Sequence, residues 1–389
     1  MKNMLNGLFL MLLAGLAVGA NASEPIKIGV VTPLSGTYAP IGNQVKHGIE
    51  LATKEINAAG GIAGRKIELL IEDGEANPPA AVQKAEKLFQ VGKVDFLTGT
   101  VNSGATLAVG QTAERNNRLI ATTVSFANAI TGKQCSPNVF RVNANAGMQS
   151  ATLAEWLTRE KPKARIFYLG PDYEMGRSTV ASFRGMAEQR GATTVGQLFA
   201  PLGTKDYTPF FGQIRSAHPN VLYTSVAGND TVRLLTQMSS YGVSKGLTLI
   251  GAAGVVTPQN IGALGAAANG FITAAAYSPE LNVPENKKFV AAFRAAFNEE
   301  PGLYATDSYG VVYFYKAAVE KAGSTDTAKV RAAMEGLKWD TPEGVKQMRA
   351  GDHQAIQEMY AVQVVDGKFK IIGKIDGKVA VGPDTCTRF

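Results

Sequence analysis

Histidine is scarce in this chain of 389 residues: there are three, His47, His218 and His353, far apart and with no cysteine pair beside them. A zinc site needs clustered ligands, so no metal is expected. Cysteine is scarcer still, and two in so long a chain exclude a disulfide-dense mini-protein. There is no G-x-G-x-x-G, no complete phosphate loop around Gly132-Lys133 and no G-x-S-x-G elbow, so no cofactor is expected and no local catalytic motif stands out. Long charged tracts are missing, and the basic residues behind the net charge of +7 are scattered. A nucleic-acid binder concentrates them, so that partner is not expected.

What is present is ordinary globular material: 45% hydrophobic and 18% charged residues, enough for two lobes at roughly 100–200 residues each. The chain opens with Lys2, an apolar run from Leu8 to Val18 and an A-x-A site at Ala20-Asn21-Ala22. This reads as a secretory signal peptide (residues 1–22) cleaved after Ala22, because the run falls short of the ~20 residues that span a bilayer. A transmembrane anchor is the alternative. An exported, soluble product places Cys135 and Cys386 where disulfides form, with one intramolecular pairing open to them. A bond would tie the C-terminal tail to the middle of the chain; two free thiols is the other possibility.

The pattern along the chain is alternating strand and helix. Ile26–Val31 is β-rich, and Val45, Ile49, Ala52 and Ile56 then recur on one helical face until Gly60-Gly61. Strand 66–72, a helix opened by Asn77-Pro78-Pro79 and strand 94–98 follow. A second series begins at Arg165, with strands near 165–169, 193–199, 221–225 and 247–250 and helices at 174–190, 206–217 and 230–241. Residues 138–147 separate the two series. Helical patterns at 285–298, 305–321 and 327–337 come next, and 356–375 reads as two β runs around Asp366-Gly367, a hairpin signal. Two α/β lobes with parallel sheets are expected.

Open parallel sheets bind ligands at the carboxyl ends of their strands. Gly99–Thr106 leads from the third strand into a helix starting near Ser103, where free N–H groups and the hydroxyls of Ser103 and Thr106 suit a carboxylate; N-capping by Asn102 or Ser103 is the plainer reading. Thr122-Thr123-Val124-Ser125-Phe126 adds hydroxyls and a ring at the same edge.

The run Ile26–Gly36, the helix end Glu55–Gly64 and the strand to Glu72-Asp73 resemble the periplasmic leucine/isoleucine/valine-type binding proteins of ABC importers, and the resemblance runs over essentially the whole mature chain. It implies a type I periplasmic binding protein fold, with two doubly wound lobes, three hinge crossovers and closure on ligand. The implied lobes are 23–143 plus 277–345 and 144–276 plus 346–389, with hinges near 141–147, 274–279 and 341–352. It also implies a periplasmic monomer that delivers its ligand, unaltered, to a membrane permease driven by ATPases.

Position by position, Ser103 matches the serine that holds the ligand carboxylate, and Val124 and Phe126 match two further main-chain contacts. Phe126 departs from the usual hydroxyl residue. Ile41 matches a wall of the first loop and Met175 an aromatic position; Ala227 matches a second-lobe tyrosine. Ala253 stands where the family's glutamate pairs with an amino acid's ammonium group. A buried ammonium without a counter-charge is costly, so the favoured ligand is a carboxylate without an α-amine, such as a benzoate-like aromatic acid. Tyr38, Tyr173, Asn102 and Ser125 complete the expected site. Asp172, Asp230 or Asp307 in a shifted position would restore the acid and with it a branched-chain or other hydrophobic amino acid. A secreted hydrolase and a sensory ligand-binding module are the readings from other classes.

Overall fold

Strand β1 (Ile26–Thr32) shows why the first sheet is parallel and covered on both faces. Ile26, Ile28 and Val30 are buried in one apolar layer and Val31 in another, so the strand is apolar almost throughout. The computed structural model describes residues 24–389, and the expected leader with its cleavage point lies outside the described residues. β1 pairs in parallel with β2 (Ile67–Asp73) and β3 (Phe96–Thr98), and β4 (Leu119–Thr122) and β5 (Val139–Arg141) extend the sheet in the order β2-β1-β3-β4-β5. The helices between them are α1 (Ala39–Ala58), α2 (Pro78–Lys87) and α3 (Ser103–Arg115). α1 starts well before the periodic run at Val45, because Pro40 sits in its first turn, where proline's missing N–H costs nothing. The Asn77 side chain caps α2 by accepting the Ala80 N–H at 3.3 Å.

The second sheet grows from α4 (Ala146–Glu160) and β6 (Arg165–Pro171). Then come α5 (Glu174–Glu188), β7 (Thr193–Ala200), α6 (Thr208–Ser216), β8 (Val221–Thr224), α7 (Asn229–Ser240), β9 (Thr248–Gly251), α8 (Pro258–Leu264) and β10 (Ile272–Ala275). Helices α9 (Pro284–Phe297), α10 (Leu303–Ala322) and α11 (Thr327–Met334) return to the first lobe, with α10 packed along α1. Three short strands, β11 (Lys338–Thr341), β12 (Gly344–Met348) and β13 (Ala355–Ile356), form a small antiparallel sheet. The antiparallel hairpin β14 (Met359–Val365) and β15 (Lys368–Ile375) completes the second sheet as β15-β14-β10-β9-β8-β6-β7. Its two-residue turn is Asp366-Gly367, both with positive φ, as the Asp-Gly signal predicts.

The break expected over 138–147 is narrower than that. β5 occupies its start and α4 its end, and only residues 142–145 lie between them; a three-residue strand is too short to show a period. The second passage between the lobes runs between β10 and α9, near the expected 274–279. The third, expected within 341–352, comes instead at Gln357-Glu358, because 338–348 fold as the β11–β12 hairpin and Met348 and Ala355 pack in the first lobe's core. A fourth link follows the sheets. α12 (Gly377–Ala380) packs on α4, and the tail then returns to the first lobe, where Cys386 is disulfide-bonded to Cys135 and Arg388 Nη1 donates to the Cys135 carbonyl at 3.1 Å.

Candidate functional site

Helices that follow parallel strands begin at the carboxyl edge of the sheet, so both lobes aim helix N-termini at the seam between them. Ser103 is the first residue of α3 and fully buried. Its Oγ accepts the Ala127 N–H at 3.2 Å, which leaves the hydroxyl hydrogen to donate. This hydroxyl and the Ser103 and Gly104 N–H groups that open α3 form a polar corner of the kind that suits an anion.

The neighbouring polar residues are spent on building that corner. Asn102 caps α3 by accepting the Ala105 N–H at 3.1 Å and donates to the Ala76 carbonyl at 3.0 Å. Thr106 and Ser125 turn inward: their hydroxyls meet at 2.5 Å, and Ser125 also donates toward the Thr100 and Val101 carbonyls. The side chains of Asn102, Thr106 and Ser125 are thus committed to the first lobe's interior. A run of hydroxyl residues marks a sheet edge without saying which of them face outward.

The apolar candidates do converge. Tyr38, Ile41, Val124 and Phe126 of the first lobe share one apolar cluster with Met175, Ala227 and Ala253 of the second, and Tyr173 packs against it. Tyr304, at the start of α10, completes the cluster; its ring lies 6.4 Å from Phe126 at an interplanar angle of 26°. Sequence reasoning missed Tyr304, which lies just before the helical pattern expected over 305–321 and carries no local sign of a site. Burial raises the pKa of the Tyr38, Tyr173 and Tyr304 phenols, so all three are neutral hydrogen-bonding groups.

The lobes touch across this cluster. The Tyr38 and Tyr173 hydroxyls are 2.8 Å apart, the Asn229 N–H donates to the Thr37 carbonyl at 3.2 Å, and Gln259 Nε2 donates to the Glu300 carbonyl at 2.6 Å. Two glycines permit the approach. Gly228 has φ +64, and a Cβ there would meet the Thr37 carbonyl oxygen at 2.6 Å; at Gly254, φ +79, it would meet the Tyr304 hydroxyl at 1.7 Å. A groove lined by Ile41, Gln44, Asn229, Thr257, Gln259 and Tyr304 lies along the seam.

Each aspartate considered as a replacement acid is engaged elsewhere. Asp172 pairs with Arg177 at the surface. Asp230 accepts the Gly203 N–H at 2.7 Å and pairs with Arg233 at 2.5 Å, and burial raises its pKa. Asp307 lies buried with Lys346 and Glu343; Lys346 Nζ donates to Asp307 Oδ1 at 2.5 Å, contacts Glu343 and reaches the Val142 carbonyl at 3.1 Å. Burial and then the Glu343 charge push the Asp307 carboxyl well above its usual range, while both carboxylates keep the Lys346 ammonium charged against the cost of burial.

Arg141, completely buried at the end of β5, positions the corner. Its guanidinium donates to the Ala127 carbonyl at 2.6 Å, to Gln354 Oε1 at 2.6 Å and to Thr131, which fixes the loop whose Ala127 N–H meets Ser103. Burial lowers its pKa to about 9, still charged at neutral pH.

The comparisons with known proteins fit this geometry. The chain is 27% identical to a Leu/Ile/Val-binding protein homolog of Brucella melitensis over 333 residues, covering 85% of this chain and 89% of the relative. Among solved structures it resembles a solute-binding protein of an ABC transporter from Rhodopseudomonas palustris BisB5 in complex with 3,4-dihydroxybenzoic acid. The TM-score is 0.84 and the identity 27%, with 91% of this chain and 98% of the other covered. It also resembles a solute-binding protein from R. palustris in complex with benzoate, with TM-score 0.84, identity 26% and coverage of 90% and 96%. The family profile described as periplasmic binding protein matches residues 25–368. With two α/β lobes closed over a shared cluster, the chain belongs to the periplasmic binding protein family.

Proposed function

We propose that the protein is the periplasmic solute-binding component of an ABC importer and that it carries a benzoate-like aromatic carboxylate, without chemistry on the ligand. The observation that carries the choice of ligand is the missing acid. Ala253 leaves the second-lobe wall apolar, and Asp172, Asp230 and Asp307 are already paired. An α-ammonium group buried here would lack a counter-charge and cost several kcal/mol. A carboxylate, by contrast, meets the Ser103 hydroxyl and the start of α3. The rings of Tyr38, Phe126, Tyr173 and Tyr304, with Ile41, Val124, Met175 and Ala227, offer flat apolar surface suited to an aromatic body.

In this reading the lobes, 23–143 plus 277–345 and 144–276 plus 346–389 with the third limit moved to the Gln357-Glu358 passage, close on the ligand. The closed monomer then docks on a permease served by ATPases. The names of the R. palustris proteins support both the transport role and the ligand class, while that of the Brucella relative favours a branched-chain amino acid. Small-angle scattering of the exported protein tests the reading. Benzoate should reduce the radius of gyration, and a protein that compacts with leucine but not with benzoates carries an amino acid instead.

A further inference from the structure

Gln149 stands in the first turn of α4, just past the first passage between the lobes, and is 2% exposed. Its Oε1 accepts the Ala253 N–H at 2.9 Å. That bond fixes which end of the carboxamide is which, because only the oxygen can accept. The other end, Nε2 with its two hydrogens, is buried and has no partner among the described residues. Native proteins leave few buried donors unpaired, and such a group calls for an explanation. Ala253 belongs to the interlobe cluster with Val124, Phe126 and Tyr304, so the unused donor lies within the width of one carboxamide of the site's second-lobe wall.

Asn143 shows the complementary feature on the first-lobe side of the same passage. Its Nδ2 donates to the Ser125 carbonyl at 3.3 Å and the Ala144 carbonyl at 3.1 Å, and its buried Oδ1 has no partner among the described residues. Ser125 sits between Val124 and Phe126, so this amide is anchored on the loop that walls the site. One unused donor and one unused acceptor therefore flank the passage beside the cluster.

We propose that Gln149 is a specificity-determining residue, whose free Nε2–H donates to an oxygen on the end of the ligand remote from its carboxylate. A phenolic hydroxyl suits this donor, since its oxygen accepts from Gln149. The inference rests on the aromatic-acid reading and narrows it to ring-hydroxylated acids. A role confined to holding the Ala253 loop would use Oε1 alone and leave Nε2 unexplained.

The test is calorimetric titration of the exported full chain with benzoate, 4-hydroxybenzoate, 4-methoxybenzoate and leucine. A site built to pair a hydroxyl discriminates against the analogue lacking it, so the wild type should bind 4-hydroxybenzoate at least about tenfold more tightly than benzoate. In Gln149→Met that ratio should fall to within about threefold of unity. Gln149→Leu likewise removes the donor, and there 4-methoxybenzoate, whose ether oxygen only accepts, should weaken at least about fivefold relative to benzoate. A merely structural Gln149 would weaken all benzoates equally; unchanged ratios in both variants overturn the assignment and leave the aromatic-acid reading standing. A wild type that binds leucine and no benzoate overturns that reading and the assignment with it.

Discussion

The hydroxyls of Tyr38 and Tyr173, in different lobes, meet at 2.8 Å across the seam. Neither phenol ionises near neutral pH, because burial raises both pKa values, so the contact is a neutral hydrogen bond that exists only when the lobes are closed. Tyr173→Phe should therefore shift the protein toward open forms. A bond worth about 1 kcal/mol converts to about fivefold weaker ligand affinity. Titration of the variant, with scattering on the ligand-free form, checks this; affinity and compactness both unchanged would show that the pair does not latch the lobes.

Ser103→Ala removes the buried hydroxyl at the start of α3, where the proposed ligand carboxylate is held. A hydrogen bond to a charged group is worth about 1.5–3 kcal/mol, so affinity for the proposed carboxylate should fall by about 10- to 150-fold. The Ala127 N–H also loses its acceptor, so a stability loss of about 1 kcal/mol should accompany it. Calorimetric titration and urea unfolding separate the two effects.

The Cys135–Cys386 bond closes a sequence separation of 251 residues and anchors a tail that has just left the second lobe. The chain-entropy account sets a ceiling of about 5 kcal/mol for such a loop. Cys135→Ser with Cys386→Ser should lower unfolding stability by about 2–5 kcal/mol, measured by urea titration of the double variant against wild type.

His353 lies buried between Phe140 and Phe389, its Nδ1 3.2 Å from the Val139 carbonyl. Burial lowers its pKa to about 4. The unfolded chain then binds a proton near pH 6.5 that the folded chain refuses until about pH 4. Stability due to this group is complete above pH 6.5 and lost as pH falls through that window, by about 3 kcal/mol at most. His353→Gln should flatten the acid limb of stability against pH, and an unchanged limb would assign it to other groups.

How much of this was legible in the sequence depended on segment length and on which face a side chain took. Long periodic runs such as Val45–Ile56, and local turn chemistry such as Asp366-Gly367, specify their elements directly. β5, β10, β11 and β12 are too short to show a period, so the sequence pattern marks neither the narrow first break at 142–145 nor the third passage at Gln357-Glu358. The helix start at Ser103 was readable from Asn102 and Ser103, but whether Ser125 and Thr106 face ligand or interior depends on the Thr100 loop beneath them. Tyr304, Gln149 and buried Lys346 carry no local signal at all. Lysine reads as surface until Asp307 and Glu343 are brought to it from other segments.

A thermal-unfolding series of the exported protein with benzoate, 4-hydroxybenzoate, leucine, isoleucine and valine tests the central claim, that the cleft accepts a carboxylate and offers, among the described residues, no free acid as counter-charge to an ammonium. A true ligand at about 100 times its Kd adds roughly 2.7 kcal/mol. The account predicts stabilisation by the aromatic acids and none by the amino acids; stabilisation by leucine alone would contradict it.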